Sequence, residues 1–107
     1  MLCFLDSFFM KALLPVATGN EEIEFSALVD VLRRGSIEVT VASVESLETV
    51  VLQKGLRIVP DASLEQVADQ TWDAIVMAGG VPGAMNLGAS EQLKAIIQRH
   101  HANGGLL

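Results

Sequence analysis

The chain has 107 residues, half of them apolar and 19% charged, with a mean hydropathy of +0.43. This suits one globular domain with a modest core and leaves no room for a second. A formal net charge of −6 without any run of Lys or Arg sets aside nucleic acid and anionic membrane as partners, since both need clustered positive charge. The single cysteine, Cys3, can form neither an internal disulfide nor a cysteine-rich metal site, and fits a reducing, cytoplasmic compartment with organellar targeting left open.

Residues 1–10 are mostly apolar and aromatic with one Asp and no basic residue, so they lack the n-region of a signal peptide and are too short to span a bilayer. Two readings stay open for them: a remnant of a targeting peptide, or translated sequence upstream of a true start at Met10. The second is preferred, and the segment is given no role in the fold. Cys3 has no basic or helix-terminal neighbour to stabilise a thiolate, so an inert side chain is expected there.

The fold is placed in residues 11–107. An apolar run from Lys11 to Ala17 closed by Thr18-Gly19-Asn20 reads as a buried strand and turn. Asn20 is expected to cap the next helix, Glu21 to Arg34, whose first turns hold Glu21, Glu22 and Glu24 at the positive end of the macrodipole. Phe25, Leu28, Val29 and Leu32 keep helical spacing, and Gly35 stops the helix. Ile37 to Ser43 alternates as a second, parallel strand reached by a right-handed crossover.

Thr49 to Gln53 and Leu56 to Val59 flank Lys54-Gly55, which predicts a hairpin with a two-residue turn. Ser63-Leu64-Glu65-Gln66 has capping-box spacing and should open a short helix reaching Asp69 or Gln70. Asp73 to Ala78 reads as the third strand, followed directly by Gly79, Gly80 and Gly83. Ser90 caps a helix with Leu93, Ile96, Ile97 and His100 at helical spacing, ended by Asn103, Gly104 and Gly105. Leu106 and Leu107 look like the start of another strand. His100 and His101 point about 100° apart on a helix, a poor chelate, so solvated or capping side chains are expected rather than a metal site.

The order β, α, β, hairpin, α, β, α, β predicts a parallel sheet covered on both faces, and such sheets bind ligands at the carboxyl ends of their strands. The loops that matter are therefore 17–20 and 78–83. Glu24 shares a stripe with Leu28 and Val31 at the head of the first helix, so it should face the sheet and stand over the crevice, where partial desolvation raises an acid's pKa toward proton exchange. The plain alternative is one of three acids that stabilise a helix start. Gly79 and Gly80 offer bare backbone N–H groups to an anion or a developing oxyanion, or make an ordinary tight turn. No G-x-G-x-x-G fingerprint is present, so no dinucleotide or other cofactor is expected.

The strand KALLPVA with TGNEEIEFSALVDVLRRGSIEVTVASVE, then GLRIVPDASLEQV, WDAIVMAGGVPGAMNL and the helix ending HHANGGLL, resembles the ThiJ/PfpI family from Lys11 to Leu107. The EEIE helix start and the GG-x-x-GA-x-x-L segment carry the likeness. The resemblance implies a flavodoxin-like, three-layer α/β/α sandwich with a mostly parallel sheet. It also implies cysteine-dependent glyoxalase or deglycase chemistry on small reactive carbonyls, often in a homodimer and often alongside oxidative-stress protection or chaperone function.

Carried over, Glu24 matches the acid that hydrogen-bonds to the reactive cysteine, and Gly80, beside Gly79, matches the oxyanion-type backbone N–H. The family cysteine and its partner histidine would lie beyond Leu107, so these residues alone are expected to be inactive. Ala78 stands where many members have proline. Two further readings are an interaction module that pairs with a full-length relative or binds unfolded chains, and an incomplete gene model.

Overall fold

The computed structural model describes residues 10–46 and 48–107; Cys3 and the other residues before Met10 lie outside them. The apolar run becomes strand β1, Lys11–Val16, buried at every position after Lys11. Successive side chains of a strand point to opposite faces, and here both faces are covered. Leu13 joins one hydrophobic cluster with Ala42, Ile75, Leu87, Leu93 and Ile96, while Leu14 and Val16 join another with Phe25, Val39 and Val41. That double burial is why β1 reads as a continuous apolar run rather than an alternating one.

Helix α1, Glu22–Arg34, lays Phe25 on the second cluster, with Leu28, Val29 and Leu32 packed around it. It ends at Gly35, whose N–H reaches back to Leu32 and Val31 carbonyls. Strand β2, Glu38–Ser43, runs parallel to β1 with Leu13 opposite Thr40. Strands β3, Val50–Val51, and β4, Arg57–Ile58, form the expected hairpin, with Val50 opposite Ile58.

The hairpin turn has three residues instead of two. Leu52 N–H donates to Leu56 O at 2.8 Å and Gly55 N–H to Leu52 O at 3.0 Å, with Gly55 at φ +97°. A two-residue type I′ turn would need positive φ at Lys54 as well. The chain places only the glycine there and takes one more residue.

Strand β5, Ala62–Ser63, pairs with β2 and has no counterpart among the predicted elements. The capping box after it forms as expected, with Ser63 N–H on Gln66 Oε1 at 2.9 Å and Gln66 N–H on Ser63 Oγ at 3.3 Å. It opens only a 3₁₀ turn, Glu65–Val67, shorter than the predicted helix. Just after it, Arg99 Nη2 donates to the carbonyls of Ala68 and Gln70 at 2.5 and 3.2 Å.

Strand β6, Ala74–Ile75, pairs parallel with the other side of β1. It is shorter than the expected Asp73 to Ala78, although Val76 N–H still donates to Leu13 O at 2.9 Å. Helix α2, Val81–Gly88, follows Gly80 directly and is an element the sequence reading lacked. Helix α3, Glu91–Ala102, is capped as expected by Ser90 Oγ on Leu93 N–H at 3.1 Å. The order β5-β2-β1-β6 makes a wholly parallel four-stranded sheet, with α1 on one face and α2 and α3 on the other.

Leu106 bridges Ala74 in parallel, in line with a further strand beginning there. His100 is buried and its Nε2 lies 2.6 Å from Leu106 O, so it ties α3 to that bridge instead of being solvated; His101 is exposed. Among the described residues no helix is long and apolar enough to cross a membrane.

Candidate active site

Parallel pairing places the ends of β1 and β6 side by side, and the two loops of interest meet there. Glu21 is the N-cap of α1, its Oε2 accepting Glu24 N–H at 2.7 Å. This displaces Asn20 from the capping role expected of it, because Asn20 is fully buried and its side chain is used elsewhere. Asn20 Oδ1 accepts Ala17 N–H at 2.8 Å, and Nδ2 donates to Ala78 O at 3.2 Å and Gly79 O at 3.1 Å. Nothing in the sequence around Asn20 signals this, since a cap and a cross-strand staple call for the same residue type.

Starting the helix at Glu22 sets Glu24 against the glycine turn. Glu24 Oε1 accepts Gly79 N–H at 2.8 Å, and Glu21 N–H donates to Gly79 O at 2.9 Å. A Cβ on residue 79 would sit 2.6 Å from Glu24 Oε1, so a side chain there would make the carboxylate shift. Gly80 has φ +102°, and a Cβ there would sit 2.7 Å from both Glu21 N and Gly19 O.

The structure brings Glu24, Gly79 and Gly80 together and divides the two amides. Gly79 N–H is committed to Glu24 rather than open to an anion. For Gly80 N–H no acceptor is found among the described residues.

Glu24 itself is exposed, not partly desolvated as expected. The sheet-facing role on α1 falls to Phe25, and Val31 is 63% exposed. Glu24 instead stands at the mouth of an apolar groove of about 400 Å³ formed with Ala27, Leu28, Leu32, Met77 and Ala78. A larger opening of about 680 Å³ lies beside β5, at the sheet edge opposite β6, with Pro60, Ser63 and Gln66 in its wall; the acid and glycine amides are not there.

Glu22 faces the hairpin, its Oε2 accepting Lys54 N–H at 2.6 Å and Leu56 N–H at 3.3 Å. Burial pushes its carboxyl up, but the bonds from Leu56, Lys54 and its own amide, with the Lys54 charge, outweigh this and hold it below the ordinary 4.5. Among the described residues no group of three or more His, Cys, Asp or Glu could hold a metal ion.

A parallel α/β sheet with an acid and a glycine turn converging at its carboxyl edge places both where sheets of this kind form their ligand crevices. The chain belongs to the DJ-1/PfpI family, which it matches over residues 10–107. Protein dj-1beta of Drosophila melanogaster is 40% identical over 97 residues, covering 91% of this chain and 52% of that protein. The glutathione-independent glyoxalase DJR-1.2 of Caenorhabditis elegans is 39% identical over 87 residues, covering 81% of this chain and 46% of that protein. The solved structure of oxidized Toxoplasma gondii DJ-1 superposes with a TM-score of 0.89 at 41% identity, covering 91% of this chain and 53% of that one. The chain thus spans about half the length of these relatives.

Proposed function

We propose that these residues supply the acid and oxyanion half of a cysteine-dependent glyoxalase- or deglycase-type site for small reactive carbonyls. The observation that carries this is the 2.8 Å bond from Gly79 N–H to Glu24 Oε1, which sets an acid beside a glycine turn in a strand-end crevice. The glyoxalase name of the Caenorhabditis elegans relative supports the substrate class.

In such a site a thiolate attacks the carbonyl carbon, a C–S bond forms, and the C=O π electrons move onto oxygen. Gly80 N–H is the donor left for that oxyanion. Glu24 is the partner of the thiol, exchanging its proton. Residues 10–107 contain no cysteine, so by this reading they do not carry the covalent step by themselves.

The test has two arms. The chain alone is assayed with methylglyoxal, and turnover above the buffer rate would refute that reading. A chimera joining residues 10–105 to the remaining half of Drosophila dj-1beta is assayed in parallel. It is expected to turn methylglyoxal over, with Glu24→Ala lowering kcat/KM at least ~100-fold, the lower range for a positioned acid–base group. A chimera indifferent to Glu24→Ala would end the enzyme reading.

A second reading, an interaction module that forms a homodimer or pairs with a full-length relative, draws on one feature. Met77 is 43% exposed just past β6 and lies between apolar grooves on both faces of the sheet.

A further inference from the structure

We propose that Asn20 is a positioning residue, holding the glycine turn at the height where Gly79 N–H meets Glu24. This rests on the function proposed above. The carboxamide is fully buried and spans two strand ends, with Oδ1 on Ala17 N–H and Nδ2 on the carbonyls of Ala78 and Gly79. Its orientation is fixed by these partners, since the flipped amide would set N–H against N–H and oxygen against two carbonyl oxygens.

The surrounding backbone is organised about the same residue. Asn20 N–H returns to Ala17 O at 3.2 Å, Asn20 O accepts Gln53 N–H at 2.9 Å, and Glu21 N–H joins Nδ2 on Gly79 O. Gly83 of α2 sits so close that a Cβ there would collide with Asn20 N, Cα and Nδ2. One residue thereby ties β1, the β3–β4 hairpin, the glycine turn and α2 at a single point.

The turn needs such a tie. Beyond Val76, whose N–H still pairs with β1, residues 77–80 have left the β1–β6 ladder, and Asn20 Nδ2 and Glu21 N–H are what fasten the carbonyls of Ala78 and Gly79. Releasing those carbonyls frees the peptide planes on either side of Gly79, and with them the direction of its N–H.

Asn20→Asp separates this from simple packing. It keeps the shape and the acceptor for Ala17 N–H but turns an oxygen toward two carbonyl oxygens. Amide hydrogen exchange is measured on the 107-residue chain, with Gly79 read against Val76. Positioning predicts that Asn20→Asp lowers Gly79 protection at least tenfold while Val76 is unchanged.

Unchanged Gly79 protection in Asn20→Asp would overturn the proposal. Should Asn20→Asp also loosen Val76, Asn20→Ala decides, because it removes the donor without adding repulsion; equal loss at both amides would then overturn it. None of these readings needs a thiol or turnover, so failure here is distinct from failure of the enzyme reading, which the chimera assay judges.

Discussion

Glu21, Glu22 and Glu24 lie within four positions and do three different jobs. Glu21 caps α1, Glu22 grips the hairpin, and Glu24 takes Gly79 N–H. Glu22 yields a pH prediction. Its carboxyl is held below 4.5 when folded, so the folded state binds the proton less readily than the unfolded chain. The stabilisation is therefore fully present above that ordinary value and is lost as pH falls from it through the folded pKa. Exchange protection of Lys54 and Leu56 amides should drop in that window, and Glu22→Gln should show the drop at neutral pH. Equal protection of the variant at pH 7 would remove Glu22 as the anchor. The resemblance carried by the EEIE helix start singled out Glu24 as a candidate acid, but three like residues in one turn give no hint of how they divide the work. That division depends on where the hairpin and the glycine turn arrive in space.

Helix α2 shows why elements fixed by tertiary contact escape a sequence reading. Its sequence, VPGAMNLG, holds two glycines and a proline, all weak in helix interiors. Pro82 is tolerated because it stands in the first turn, where its missing N–H would be unpaired anyway. The helix is held from outside, by Leu87 in the core and by Asn86 Nδ2 on Thr18 O at 2.8 Å. Its two glycines should respond in opposite directions. Gly83→Ala improves propensity but drives a methyl into Asn20, and overpacking of this kind costs about 1–3 kcal/mol. Gly88 has no atom within 4 Å of a built Cβ, so Gly88→Ala should be neutral or stabilising by up to about 1 kcal/mol. Urea unfolding of the pair checks this, and equal midpoints would show that Asn20 and α2 are not in tight contact. Strand β5 escaped for a similar reason: it is only Ala62–Ser63, too short to carry a period, and is held by its pairing with β2.

The whole architecture was the most legible level. Consecutive apolar residues in β1, amphipathic α1 and alternating β2 compel a β-α-β unit buried on both sides, and the observed parallel order follows from it. Among the described residues, the side of β6 away from β1 meets Leu106. Past β6, Met77 and Ala78 lie between grooves of about 400 Å³ under α1 and 280 Å³ under α2 and α3. A strand edge with apolar surface on both faces favours association. In light scattering the 107-residue chain is therefore expected to exceed its monomer mass of 11.4 kDa as concentration rises. Met77→Lys places a charge at the centre of this edge and should restore the monomer. Met77 is 43% exposed, so the change should cost little stability, within about 0.5 kcal/mol as for other surface substitutions. Val59→Lys makes the comparison sharp, because Val59 is 80% exposed but lies just after β4, away from β6. If Val59→Lys dissolves the association and Met77→Lys does not, copies meet through the hairpin side and the β6 edge plays no part in it.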